Sequence, residues 1–148
     1  MQLSKETLNV IKNFSGINGS LMLKAGNKLA TISEGKNVMA EVTITETFPS
    51  DFGIYDLNEF LNVVSLFSDT NLDFSEKYVL VSGGGNSKIK YFAAGEGVVK
   101  SAPTTIKFPS SDVSFTLEAG QLAMIQRTSS VLKASDVSIV GDGTNLKV

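Results

Sequence analysis

The chain contains no cysteine and no histidine. Without cysteine neither a disulfide framework nor a thiolate metal site can form, and a reducing compartment is the expected setting. Without histidine the commonest general base and the commonest metal ligand are missing, and with them the Ser-His-Asp and Cys-His arrangements. No nucleophile elbow or cofactor fingerprint takes their place, so the chain reads as a non-enzyme with no cofactor and no metal. Charge is sparse as well: 19% of residues are charged, 13 basic against 15 acidic, and no overall field draws the chain to nucleic acid or to an anionic membrane. Any basic patch must be local. No apolar run reaches the ~20 residues that span a bilayer, and Met1-Gln2-Leu3-Ser4-Lys5-Glu6 lacks a basic segment leading into an apolar one. A cytoplasmic protein without membrane contact is expected.

What the chain does contain is a repeated unit. In Ile54 to Phe67, Leu57, Phe60, Leu61, Val64 and Phe67 recur at helical spacing and share one side, while Asn58, Asn62 and Ser65 take the other. Asp56 stands where an N-cap belongs, with Glu59 three residues on, as in a capping box. The same strand-to-helix pattern occurs from Leu3 to Phe14, with Ser4 as cap, and from Phe115-Thr116-Leu117-Glu118 into Leu122, Ile125, Thr128, Ser129 and Leu132. Recurrence at roughly 50–60 residues is the mark of a repeated architecture.

Between the helices the sequence is strand-like. Residues 21–24, 28–32 and 38–44 alternate apolar and polar residues between Gly or Asn turns, as do 72–74, 78–81 and 88–92 around the Gly83-Gly84-Gly85-Asn86 turn. This describes antiparallel meanders with one buried face. The glycine run lacks phosphate-loop spacing and joins strand to strand, so it reads as a hairpin. The prediction is therefore an α+β fold of helix plus antiparallel β-meander units, with the helices on one face of the sheets. Residues 1–94 hold two complete units. Gly95, Gly97, Pro103 and Pro109 break periodicity and mark 95–112 as a linker. In 113–148 a third unit is expected, with a strand at 113–117, a helix at 118–134, a strand at 137–140, a Gly141-Asp142-Gly143 turn and an unfinished meander.

Several stretches carry a family resemblance: Leu3-Ser4-Lys5 with Ile11-Lys12-Asn13-Phe14, Met22-Leu23-Lys24-x-Gly26, Ile54-Tyr55-Asp56-Leu57-Asn58-x-Phe60-Leu61, and Phe108-Pro109. On these the chain resembles the T-even bacteriophage DNA polymerase sliding clamps, of the same superfamily as proliferating cell nuclear antigen. The resemblance implies the DNA clamp fold, with 1–94 as a complete first clamp domain and 113–148 as part of a second. It also implies a non-enzymatic processivity factor that encircles duplex DNA, a homo-oligomer (a trimeric ring in the family), and a replicative polymerase and a clamp loader as partners in the host cytoplasm. The helices would line the hole, holding DNA by diffuse phosphate contacts.

On that reading the DNA-facing residues are Lys5 and Lys12, seven apart on the polar face of the first helix, Arg127 and Lys133 in the third, and Lys24 in the first hairpin. Read without the resemblance, each is a lysine or arginine on a solvated face. Clamps also recruit partner peptides to an apolar pocket. Val98, Val99, Ile106 and Phe108 in the linker are the nearest apolar segment for that role, or else they cover a core. The alternative for the whole chain is a non-enzymatic β-rich phage interaction module that does not encircle DNA.

Overall fold

The computed structural model of the chain describes residues 1–95, 97–103, 110, 114–141, 143–144 and 146–147, Leu146 by its backbone alone. They fall into two compact units, Met1–Thr105 and Ile106–Val148. In the first, α1 (Lys5–Ser15) is followed by β1 (Leu21–Leu23), β2 (Gly26–Ile32), β3 (Met39–Phe48) and β4 (Phe52–Ile54). Then come α2 (Leu57–Ser65), β5 (Asn71–Phe74), β6 (Tyr78–Ser82) and β7 (Lys88–Phe92). The second contains α3 (Ala119–Leu132), β8 (Val140–Gly141) and β9 (Leu146–Lys147).

Both helices of the first unit begin at the caps read from sequence. Ser4 Oγ accepts the Thr7 N–H at 3.1 Å, and Asp56 Oδ1 accepts the N–H groups of Asn58 and Glu59 at 2.9 and 3.0 Å. Each carboxylate or hydroxyl satisfies backbone donors that the helix itself cannot. The stripes they launch are buried: Ile11 and Phe14 from α1, Leu57, Phe60 and Val64 from α2. They pack against the inward residues of the strands, among them Leu21, Leu29, Leu72, Val79 and Val81. Edge-to-face aromatic contacts tighten this core, Phe60 on Tyr91 at 5.3 Å and Phe74 on both Phe48 and Phe52 at 5.6 and 5.3 Å.

The strands are antiparallel throughout. Strands β5, β6 and β7 form a three-stranded meander, with Leu72 opposite Val81 and Val81 opposite Ile89. Its β6–β7 turn is the glycine run, where Gly84 and Gly85 have φ of 48° and 154°. The first group departs from a plain meander. Strand β2 pairs with β3, but β1 pairs with β4, Leu21 opposite Ile54, so the chain returns across the hairpin before entering α2. A strand of three residues cannot be placed by its own periodicity; its partner is chosen by where the core needs Leu21 and Leu23.

Two further expectations are corrected. Residues 114–117 form no strand, and of 137–140 only Val140 is paired, in the short β8–β9 hairpin with Val140 opposite Lys147. Strand alternation specifies a strand only when a neighbour supplies the ladder. The apolar stripe of α3 is likewise uncovered: Leu122 and Leu132 are exposed, Ile125 and Ser129 half-buried, and the helix buries no residue. Its start is nonetheless well made, with the Glu118 N–H donating to Gln121 Oε1 at 3.1 Å.

Candidate nucleic-acid interface

Helices α1 and α2 pack beside one another on the same side of the strands and turn their polar faces outward. Lys5 and Lys12 are both exposed on α1, two turns and roughly 10 Å apart along its axis, and neither joins an ion pair among the described residues. Lys12 lies in the last turn, where the helix dipole favours a cation; Lys5 opens the first turn, where it does not. Helix α2 adds Asn58 and Asn62, exposed and uncharged.

Acidic groups on the same helices are Glu6, Asp56 and Glu59, all at or within the first turns. The Asp56 carboxylate is engaged by two backbone donors, and all three acids face the positive helix ends, which offset part of their charge. By formal charge two lysines meet three acids, so the face is not cationic overall and its positive charge is local to Lys5 and Lys12. It can attract phosphates without gripping a particular sequence, since such contacts position a protein on DNA but carry no base information.

The other expected cations are placed differently. Lys24, after β1, donates to Asp51 Oδ2 at 2.7 Å, while Asp51 Oδ1 accepts the Ala25 N–H at 2.9 Å. The Lys24 hydrogen bond, with that N–H, holds the Asp51 carboxyl below its ordinary range, so the Lys24 charge is already balanced within the chain. Arg127 and Lys133 belong to the second unit. Both are exposed, but Lys133 lies past the last turn as a left-handed C-cap with φ 52°, off the stripe that Arg127 occupies.

The expected partner segment is also divided. Val98 is exposed, whereas Val99, 4% exposed, is buried. Ile106 and Phe108 lie outside the described residues. Residues 97–101 and Pro103 border a cavity of ≈ 680 Å³ whose other wall includes Asn18, Ile32, Ser33 and Lys36. This part of the linker thus belongs to the first unit, with Val99 buried in it.

Sequence reading missed Glu46. From β3 it reaches the start of α1, accepting the Ser4 N–H and, at 2.7 Å, the Thr7 hydroxyl. No local signal marks it, because its partners are 42 and 39 residues away.

The family model described as DNA polymerase processivity factor matches residues 4–97. The chain is 34% identical over 142 residues to a sliding clamp of Vibrio phage KVP40, an alignment covering 94% of this chain and 64% of that protein. It is 32% identical over 140 residues to the sliding clamp of Enterobacteria phage T4 and 30% over 146 residues to that of Escherichia phage RB69, each covering 94% of this chain and 61% of the relative. The chain thus spans under two thirds of the length of these relatives.

Proposed function

The chain belongs to the DNA polymerase processivity factor family, and on that premise we propose that it acts as a sliding clamp, a non-enzymatic ring component that encircles duplex DNA and tethers the replicative polymerase. The observation that carries the reading is the side-by-side placement of α1 and α2 with Lys5 and Lys12 exposed and without an ion pair among the described residues. A ring needs no tight DNA site, because topology prevents escape, and two local lysines on a helix face suit sliding better than a deep basic groove would.

On this reading residues 1–94 form the first clamp domain, 95–112 the connection, and 113–148 part of a second domain. The division between compact units at Thr105 and Ile106 falls inside that connection. The ring is a homo-oligomer of three subunits, opened by a clamp loader, and works in the host cytoplasm. Lys5 and Lys12 face the duplex, with Arg127 and Lys133 contributing from the second unit. Exposed Val98 is the linker residue that this reading assigns to a partner peptide.

The test is the salt dependence of duplex binding by the full chain and by Lys5→Ala/Lys12→Ala. Two lost phosphate contacts lower the slope of log K against log salt by about 1.8. An unchanged slope removes these lysines from the interface and leaves the interaction-module reading. Light scattering on the same sample checks the assembly, for which a trimer mass is expected.

A further inference from the structure

The strands β5, β6 and β7 have a second face, turned away from α1 and α2. Tyr91 defines the inward side: its ring meets Phe60 at 5.3 Å and its hydroxyl donates to the Asp56 carbonyl at 3.2 Å. Lys90 and Phe92, its neighbours in an extended strand, therefore point to the opposite side, with Lys88 in line behind them.

The register places Phe92 opposite Tyr78, Lys90 opposite Leu80 and Lys88 opposite Ser82. Phe92 is 68% exposed, an unusual position for a large aromatic on an open sheet. Its ring lies 6.1 Å from that of Tyr78, and Lys90 Nζ sits 4.8 Å from the centre of the Tyr78 ring. Neither Lys88 nor Lys90 has an ion pair among the described residues. Within the described strands β5 to β7 the acid in register on this face is Asp73, opposite Leu80 on the far strand and two strand spacings or roughly 9.6 Å from the Lys90 backbone, and exposed Glu76 lies in the β5–β6 turn.

We infer that this outer sheet face binds single-stranded nucleic acid, stacking a base on Phe92 beside Tyr78 and taking phosphates on Lys90 and Lys88. The chemistry is that of a stacking platform, in which aromatic rings on adjacent strands meet bases and lysines track the backbone. Residues two apart on a strand repeat every 6.6 Å or so, close to the spacing of successive phosphates in an extended single strand. Phe92, Lys90 and Lys88 follow that repeat. A protein partner is the poorer match, because lysine is depleted from the cores of protein interfaces. The inference stands apart from the duplex-facing role of α1 and α2, since it concerns the other side of the sheet.

The test is fluorescence anisotropy of the full chain with a labelled oligodeoxythymidylate of about 12 nucleotides at low salt. Phe92→Ala is expected to weaken binding about 10-fold, while Phe92→Tyr, which restores the ring, stays within about 2-fold. Lys88→Ala/Lys90→Ala should lower the slope of log K against log salt by about 1.4. Phe92 is exposed, so an unchanged melting curve is expected for its variants, and Lys90→Glu provides a second probe that leaves the rings in place. Absence of oligonucleotide binding overturns the inference, as does binding that Phe92→Ala leaves intact. So does binding that disappears in Lys5→Ala/Lys12→Ala but survives Phe92→Ala, which would assign it to the helix face. If polyglutamate binds in place of the oligonucleotide and Phe92→Ala weakens it, the face belongs to an acidic protein partner and the inference falls.

Discussion

Glu46 on β3 accepts the hydroxyl of Thr7 on α1 at 2.7 Å, joining a strand to a helix start 39 residues earlier in the chain. Thr7 is 2% exposed, and the same carboxylate receives the N–H of Ser4, the residue that caps α1. Burial pushes the Glu46 carboxyl upward. The hydrogen bonds from Ser4 and Thr7 more than offset this and bring it from 4.5 down to about 2. The ionised form is thus the one the fold uses, held at the positive end of a helix that carries Lys5 in its first turn.

A pH dependence follows with a definite sign. Because the folded value is depressed, Glu46 stabilises the fold above its unfolded value near 4.5, and that contribution is lost as pH falls toward about 2. Glu46→Gln should be less stable than the parent by about 1–2 kcal/mol at pH 6, a figure reduced for the partial solvation of the group. Urea unfolding at pH 6 and near pH 2 measures the gap, which should close at the lower pH. A gap that stays constant with pH would assign the effect to packing alone.

Gly83 is held by a close approach and not by its φ. A Cβ there would lie 2.6 Å from the Ser68 carbonyl oxygen and 2.9 Å from Phe67 Cβ, neither of which is the free end of a flexible side chain. Gly83→Ala should therefore cost about 1–3 kcal/mol, the range for forcing atoms into a packed site. Chemical denaturation of the two proteins is sufficient to see it. An unchanged midpoint would mean that the α2–β5 turn gives way without cost.

Lys24 provides a contrast with Lys5 and Lys12. Its ammonium is already paired with Asp51 on an exposed surface, so Lys24→Ala should leave the salt slope of duplex binding as it is and cost less than about 1 kcal/mol in stability. A slope lowered by about 0.9 would instead count Lys24 among the phosphate contacts.

Gly120 lies in the first turn of α3 with nothing within 4 Å of where a Cβ would stand. Gly120→Ala should raise helix content and stabilise the second unit by up to about 1 kcal/mol, through backbone entropy and not through any new contact. Circular dichroism during thermal unfolding reports it, and a loss of helicity would show that the site requires glycine.

Much of the first unit was legible because its signals are local. Ser4 and Asp56 precede apolar residues at helical spacing, and both cap the helices that follow. The Gly83-Gly84-Gly85 turn joins β6 to β7 as the alternation on either side implied. The β1–β4 pairing, by contrast, is an agreement between segments some thirty residues apart, each too short to declare a partner. In the second unit, alternation at 114–117 is not matched by a ladder, because a strand is a property of a pair and not of a segment.

The site divides along the same line. Helical spacing alone puts Lys5 and Lys12 on one polar face, and both are exposed in the fold. Family membership too is written in local words such as Ile54-Tyr55-Asp56-Leu57-Asn58, within the region that the family model covers. Only the tertiary structure decided that Lys24 is neutralised by Asp51, that Val99 is buried while Val98 is not, and that Glu46 closes the start of α1. Periodicity and capping depend on neighbours a few residues away, which a sequence displays directly. Charge pairing, burial and register depend on which distant segments the core brings together, and that is settled only when the chain has folded.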